Sequence, residues 1–183
     1  MNDSQRQILL KIARDTVEAV VKGESVPKPE SDAPELNAHC GCFVTLKNHG
    51  RLRGCIGHFV SDIPLIELVA EMAKASATSD PRFFADPVTS DELDQLDIEI
   101  SVLSPLVRTG DPLSLRLGVD GIYIKSGRAC GCFLPQVATE TGWSKEEFLS
   151  NCCSHKAGLP ADAWKDQDTE VYLFGAEVFG EET

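Results

Sequence analysis

Apolar residues recur at helical spacing along the start of the chain. Leu9, Ile12, Ala13, Val17, Val20 and Val21 form one stripe. Ser4 with Gln7 three residues on has the form of a capping box, and Gly23 supplies a stop, so the pattern predicts a helix over residues 4–22. The next stretch, 24–38, holds Pro27, Pro29 and Pro34 among acidic residues. It reads as a surface connection and not as a domain boundary, because a lone helix before it would not fold by itself.

The period then changes to two. Residues 42–47 and 51–56 read as strands joined through Asn48-His49-Gly50, a hairpin signature. A second helix over 64–78 follows, with Asp62 as its expected cap, Pro64 in its first turn and Leu65, Leu68, Val69, Met72 and Ala73 facing inward. A short acidic helix over 90–96 leads into a strand over 97–104. The second half repeats the theme: strands 121–125 and 128–134 across Ser126-Gly127, a short helix opened by Pro135, and a capped helix over 144–157 with Ser144 and Glu147. A final strand is expected over 169–179. Cys-Gly-Cys-Phe occurs at residues 40–43 and again at 130–133, which together with the two hairpins hints at internal duplication. Hairpins mixed with helices predict an α+β fold: a two-lobed single domain over residues 1–183, with antiparallel sheets flanked by helices.

Composition narrows the function classes. The net charge is −12, which argues against nucleic acid or an anionic membrane surface as a partner, since both need a basic footprint. The longest apolar runs are too short to span a bilayer, and the N-terminus lacks a signal-peptide pattern, so a cytoplasmic location is expected. Seven cysteines without a secretion signal point to reduced thiols and not to a disulfide framework.

The chemistry concentrates around Cys55. Alternation along a regular strand puts Arg51, Arg53 and Cys55 on one face, where two guanidinium groups favour the thiolate and offer a small patch for an anionic substrate. Gly54 and Gly57 flank the thiol with little bulk, which permits close approach of a ligand to the backbone. His58 is near enough to accept a proton if the strand bends at Gly57. The competing reading is structural: cysteine commonly fills cores, and the glycines mark only a bulge. Glu99 is offset from Ile98, Ile100 and Val102, as a general base or arginine partner in the same pocket or as an exposed strand residue. Asp80-Pro81-Arg82 fits ligand binding and a self-capped turn equally well.

Gly50-Arg-Leu-Arg-Gly-Cys-Ile-Gly57 resembles the signature of the AMMECR-type domain family. Phe43-Val-Thr-Leu-Lys47, Asp80-Pro-Arg-Phe83, Leu96-Asp-Ile-Glu-Ile-Ser-Val-Leu103, Phe133-Leu-Pro-Gln-Val137 and Lys156-Ala-Gly-Leu159 look like further family blocks in the family's order, over about residues 8–179. The resemblance implies a two-lobed α+β fold with a cleft beside the motif, near Arg53, Cys55, Asp80, Arg82 and Glu99. It also implies association, in microbes, with Memo-type and radical-SAM-type proteins, the grouping called AmmeMemoRadiSam. It implies no cofactor and no particular reaction.

Cys40, Cys42, Cys130, Cys132, Cys152 and Cys153 lie outside those blocks. Two Cys-x-Cys pairs on adjacent strands would gather four thiolates, and Cys152 with His155 would share a helical face. The spacing is tighter than that of ordinary zinc sites, so packed or surface thiols are expected and no metal centre. Three functions therefore compete: an enzyme component in which Cys55 binds or covalently engages a small anionic substrate, a non-catalytic protein-binding domain using the same cleft, and a redox- or metal-responsive protein. The sequence leaves open whether the protein is an enzyme.

Overall fold

The structure, a computed structural model, describes residues 1–181. The chain divides into two compact units, Met1–Leu103 with the chain from Glu177 onward, and Ser104–Ala176. The fold is α+β, with two four-stranded antiparallel sheets.

In the first unit, helix α1 (Asp3–Lys22) begins one residue earlier than expected. Asn2, not Ser4, forms the cap: its side chain accepts from Gln5 N at 2.9 Å, and Gln5 reaches back to Asn2 N at 3.0 Å. Asparagine caps as well as serine, so the box slides to the earlier pair. Strands β1 (Cys42–Asn48) and β2 (Arg51–His58) are joined by His49 and Gly50, both at positive φ, 47° and 78°. That two-residue turn matches the twist of a hairpin. Helix α2 (Leu65–Thr78) has Pro64 at its cap, and Asp62 does not cap it. Its first free amides are taken by the connection instead, Leu65 N by Ala38 O at 2.9 Å and Ile66 N by Leu36 O at 2.9 Å. The acidic segment forms a tighter helix, Ser90–Gln95, capped by Thr89 and Glu92.

Strand β3 (Leu96–Leu103) pairs with β1, giving the sheet order β2-β1-β3-β8, where β8 is Ala176–Gly180. Val44, Leu46, Ile98 and Ile100 turn one face of this sheet to Leu9, Ala13 and Val17 of α1 and Leu68, Val69, Met72 and Ala73 of α2. All of these are buried, and they make the first core. The site described below lies on β2 and on the opposite face of this sheet.

In the second unit, β4 (Val107–Thr109), β5 (Gly121–Ser126), β6 (Ala129–Phe133) and β7 (Glu170–Phe174) are ordered β4-β7-β5-β6. Ile122, Ile124, Phe133 and Val171 pack with Ala138 of α3 (Pro135–Thr141) and with Phe148 and Leu149 of α4 (Lys145–Asn151). Ser144 caps α4 in the expected box with Glu147. The chain does not stay α-helical to residue 157, however: Cys152–Ala157 is a π-helical turn ending at Gly158. The wider turn takes His155 off the face of Cys152, which is fully buried while His155 is exposed.

The expected final strand is two strands in different sheets, β7 and β8, parted at Gly175. Both sheets place their hairpin at one edge with the second strand outermost. The two Cys-Gly-Cys-Phe copies nonetheless fall on non-equivalent strands, at the start of β1 and in β6, so the tetrapeptide does not mark matching positions. Among the described residues no helix is long and apolar enough to cross a membrane.

Candidate functional site around Cys55

The hairpin carrying Cys55 is not a regular ladder. Leu46 faces Gly54, but Lys47 faces Leu52, so Arg53 is an extra residue in a β-bulge. Alternation therefore fails where the sequence relied on it. Cys55 and Leu52 share a face with Thr45 and Lys47, while Arg51 falls opposite Asn48 on the other face. The expected row of Arg51, Arg53 and Cys55 does not form.

Arg53 turns into the protein and is 4% exposed. Its Nε and Nη2 donate to Glu92 at 2.8 and 3.0 Å, Nη1 to Asp86 at 2.8 Å and Nη2 to Pro87 O at 3.1 Å. Its guanidinium lies over the Phe83 ring, 5.8 Å from the centroid. Burial alone would push the Glu92 carboxyl up, yet the bonds from Arg53, Thr89 and Asn48 bring it below the usual carboxylate range. A buried cation needs this compensation, and it commits Arg53 to Glu92, Asp86 and Pro87. Arg51 is exposed, 3.6 Å from Asp86.

The motif glycines are explained by close packing. A Cβ on Gly54 would sit 2.0 Å from Ser76 O, because α2 crosses β2 there. A Cβ on Gly57 would sit 2.3 Å from the Phe43 ring and 2.4 Å from Cys42 O. The space that a ligand would use against these backbones is occupied by the protein itself. Pairing also continues unbroken through Gly57 to Cys42↔His58, so the bend that His58 would need to reach the thiol is absent, and His58 lies on the opposite face from Cys55.

Because β2 is an edge strand, its outward peptide groups need partners. Asp80 and Arg82 provide them at Cys55. Asp80 Oδ2 accepts from Cys55 N at 2.9 Å, and Arg82 Nη2 donates to Cys55 O at 3.0 Å. The two side chains are joined by bonds from Arg82 Nη2 and Nε to Asp80 at 2.6 and 2.9 Å. Arg82 holds the buried Asp80 carboxyl down at about 2, against the opposing effect of burial and with help from the Cys55 N–H. On the inner side, Ser76 Oγ accepts from Ile56 N at 3.0 Å and donates to Val44 O at 2.8 Å, fastening α2 to both strands.

The half-buried thiol itself meets residues that sequence reading did not single out. Thr45 Oγ1 donates to Cys55 Sγ at 3.2 Å. Glu99 pairs with Thr45 from β3, so Cys55, Thr45 and Glu99 form one row across three strands. In the adjoining row Lys47 sits between Leu52 and Asp97, and its Nζ donates to Glu99 Oε2 at 3.2 Å. Phe43 bounds the other side and packs edge-on against Phe59, centroids 5.0 Å apart. Thr45 and Lys47 lie in a block noticed only for its family likeness; their two-residue spacing beside the motif strand was the available signal.

Of the expected site residues, the structure thus gathers Cys55, Asp80, Arg82 and Glu99, and it turns Arg51, Arg53 and His58 away from the sulfur. A cavity of about 60 Å³ lies behind Asp80, between Ser76, Phe83, Phe84 and Pro87. In the second unit, a groove of about 730 Å³ is lined by Arg108, Thr109, Trp164, Lys165 and Thr169. Burial raises the thiol pKa of Cys40, Cys42, Cys132, Cys152 and Cys153, that of Cys132 to about 12.

Comparisons agree with this architecture. A protein of Methanothermobacter thermautotrophicus is 43% identical over 189 residues, covering 100% of this chain and 97% of that one. Protein TK0174 of Thermococcus kodakarensis is 44% identical over 193 residues, covering 100% and 93%. The crystal structure of uncharacterized protein PH0010 from Pyrococcus horikoshii superposes with a TM-score of 0.88 at 41% identity, covering 100% of this chain and 94% of that one. The AMMECR1 family matches residues 10–179, and the chain belongs to it.

Proposed function

We propose that the protein is a thiol-centred component of an enzyme system, in which Cys55 binds and covalently engages a small substrate bearing an anionic group. The observation that carries this reading is the Thr45 hydroxyl donating to Cys55 Sγ at 3.2 Å in a residue that is only half-buried. A hydroxyl donor steadies a thiolate, and the nucleophile is the thiolate. Lys47, on the same face, is the cation available to the substrate's anionic group in place of the committed arginines. Asp80 and Arg82 act as positioning residues that hold the Cys55 peptide. Work alongside Memo-type and radical-SAM-type proteins in the cytoplasm is part of this proposal, motivated by family membership and by seven free thiols.

The test is brief, limiting iodoacetamide labelling followed by peptide mapping. Cys55 is expected to label first among the seven cysteines. Thr45→Val is expected to slow Cys55 labelling about 3- to 10-fold, while Thr45→Ser keeps it near the parent. First labelling at Cys130 or Cys152 with Cys55 inert would sink the reading.

A second reading, a protein-binding surface at the same motif, is favoured by Phe84 and Val60, which are 67% and 70% exposed just beyond Asp80–Phe83 and β2. Co-purification with neighbouring Memo-type and radical-SAM-type proteins separates the two. Retention lost with Phe84→Ser but kept with Cys55→Ser would favour binding without catalysis.

A further inference from the structure

Resting on that thiol reading, we infer that Cys55 reacts by displacement at sulfur and not by acyl transfer, forming a reversible mixed disulfide with a small zwitterionic disulfide. Attack on an ester or thioester carbonyl builds charge on oxygen, and thiol acyltransferases commonly meet it with a backbone N–H at the nucleophile. Here the Cys55 amide is already spent on Asp80 at 2.9 Å, and the Ile56 amide on Ser76 Oγ at 3.0 Å. Ser76 and Asp80 are both buried, 1% and 3% exposed, so neither amide is released by a small shift. Displacement at sulfur develops no oxyanion and needs neither. Displacement at saturated carbon would leave a thioether that nothing in the site reverses, whereas a mixed disulfide is undone by a second thiol.

The charges beside the sulfur select the substrate. Lys47 is bonded to Glu99 at 3.2 Å and faces Asp97 in register, so one cation stands among two carboxylates. The Lys47 and Glu99 side chains are 38% and 34% exposed, open to a ligand. A purely anionic substrate would meet both acids, and a purely cationic one would meet Lys47. A zwitterion satisfies both, giving its carboxylate to Lys47 and its ammonium to Glu99.

In the step, the Cys55 proton passes to water and its sulfur attacks one sulfur of the substrate. The new S–S bond forms as the old one breaks, and the leaving sulfur departs as a thiolate with the bonding pair. Cys55 is oxidised to the mixed disulfide and half of the substrate is reduced to a thiol.

The experiment compares L-cystine, cystamine, dithiodiglycolate and 2-hydroxyethyl disulfide, with rates at Cys55 followed by mass mapping and normalised to a free small thiol. L-cystine is expected to exceed the dicationic and dianionic probes by about tenfold. Lys47→Met should bring the ratio over cystamine toward one and Glu99→Gln the ratio over dithiodiglycolate, each in protein with a native circular dichroism spectrum, and dithiothreitol should reverse the adduct. p-Nitrophenyl acetate should acylate Cys55 no faster than it does a free thiol. Equal normalised rates, or Cys55 acylation outrunning exchange, would overturn this inference while leaving the reactive-thiol reading intact. Inertness of Cys55 to iodoacetamide as well would overturn both.

Discussion

Asp80 shows how a single carboxylate decides the geometry of the thiol. It is 3% exposed and takes three interactions at once, from Cys55 N, Arg82 N and the Arg82 guanidinium. Its carboxyl titrates at about 2 in the folded protein against ~3.9 in an unfolded chain. A depressed folded pKa contributes stability that is fully present above pH ~4 and is lost as pH falls from there through 2. Asp80→Asn is therefore expected to cost about 1–3 kcal/mol at pH 7, toward the lower end because the Arg82 side chain is 53% exposed and screened by water. Urea unfolding at pH 7, 4 and 2.5 checks this: the gap between parent and variant should close toward pH 2.5. A gap of equal size at all three would show that packing, not charge, holds the clamp. At this scale the proximity of Cys55, Asp80, Arg82 and Glu99 was legible, because blocks that resemble the family's carry them. Thr45 and Lys47 were not, since their relation to the sulfur runs across a strand pair. Nor was the fate of Arg53: its partners Glu92 and Asp86 are more than 30 residues away, and one bulge residue reverses the face that alternation predicts.

The hairpins were the most legible elements. His49-Gly50 and the turn after Ser126 dictate register locally, and the apolar alternation agrees with them. Helix starts were less so, because Asn2-Gln5 and Ser4-Gln7 are both plausible boxes and α2 is capped by backbone from residues 36–38, which no local pattern announces. The split of β7 from β8 was hidden for the same reason: alternation reports a strand's period, not which sheet receives it. The contact between α2 and β2 gives an element-scale prediction. Gly54 has ordinary strand backbone, so its demand is for space alone, and Ser76 O stands 2.0 Å from where a Cβ would be. Gly54→Ala must separate helix from strand, strain Ser76 between Ile56 N and Val44 O, and disturb the Cys55 peptide next to it. A loss of about 2–4 kcal/mol is expected by denaturant titration, with slower Cys55 labelling in whatever folds. Gly110→Ala, where an added Cβ meets nothing, is the control and should stay within about 0.5–1 kcal/mol of the parent. Equal effects from the two would show that α2 yields easily and that the motif glycine is not a packing requirement.

For the molecule as a whole, burial limits the chemistry open to the cysteines other than Cys55. Cys40 and Cys42 belong to the first unit, and Cys130, Cys132, Cys152 and Cys153 to the second. Among the described residues no group of three or more cysteine, histidine or acidic side chains converges as a metal site would require. Several of these thiols instead have structural work. Cys42 packs under α1 and α2 in the first core, and Cys152 and Cys153 are fully buried in the second. Burial raises their pKa, which opposes the deprotonation that zinc ligation needs. Each unit has an apolar core, so stability does not depend on a metal staple. Protein purified without chelator is therefore expected to carry less than about 0.1 zinc per chain by elemental analysis, with all seven thiols counted after denaturation. Cys132→Ser should leave zinc content unchanged and alter only the packing beside Tyr123, its cross-strand partner. Near-stoichiometric zinc, lost on replacing Cys42 or Cys132, would mean that the thiols converge in a way this fold does not show, and would move the protein to the metal-responsive class.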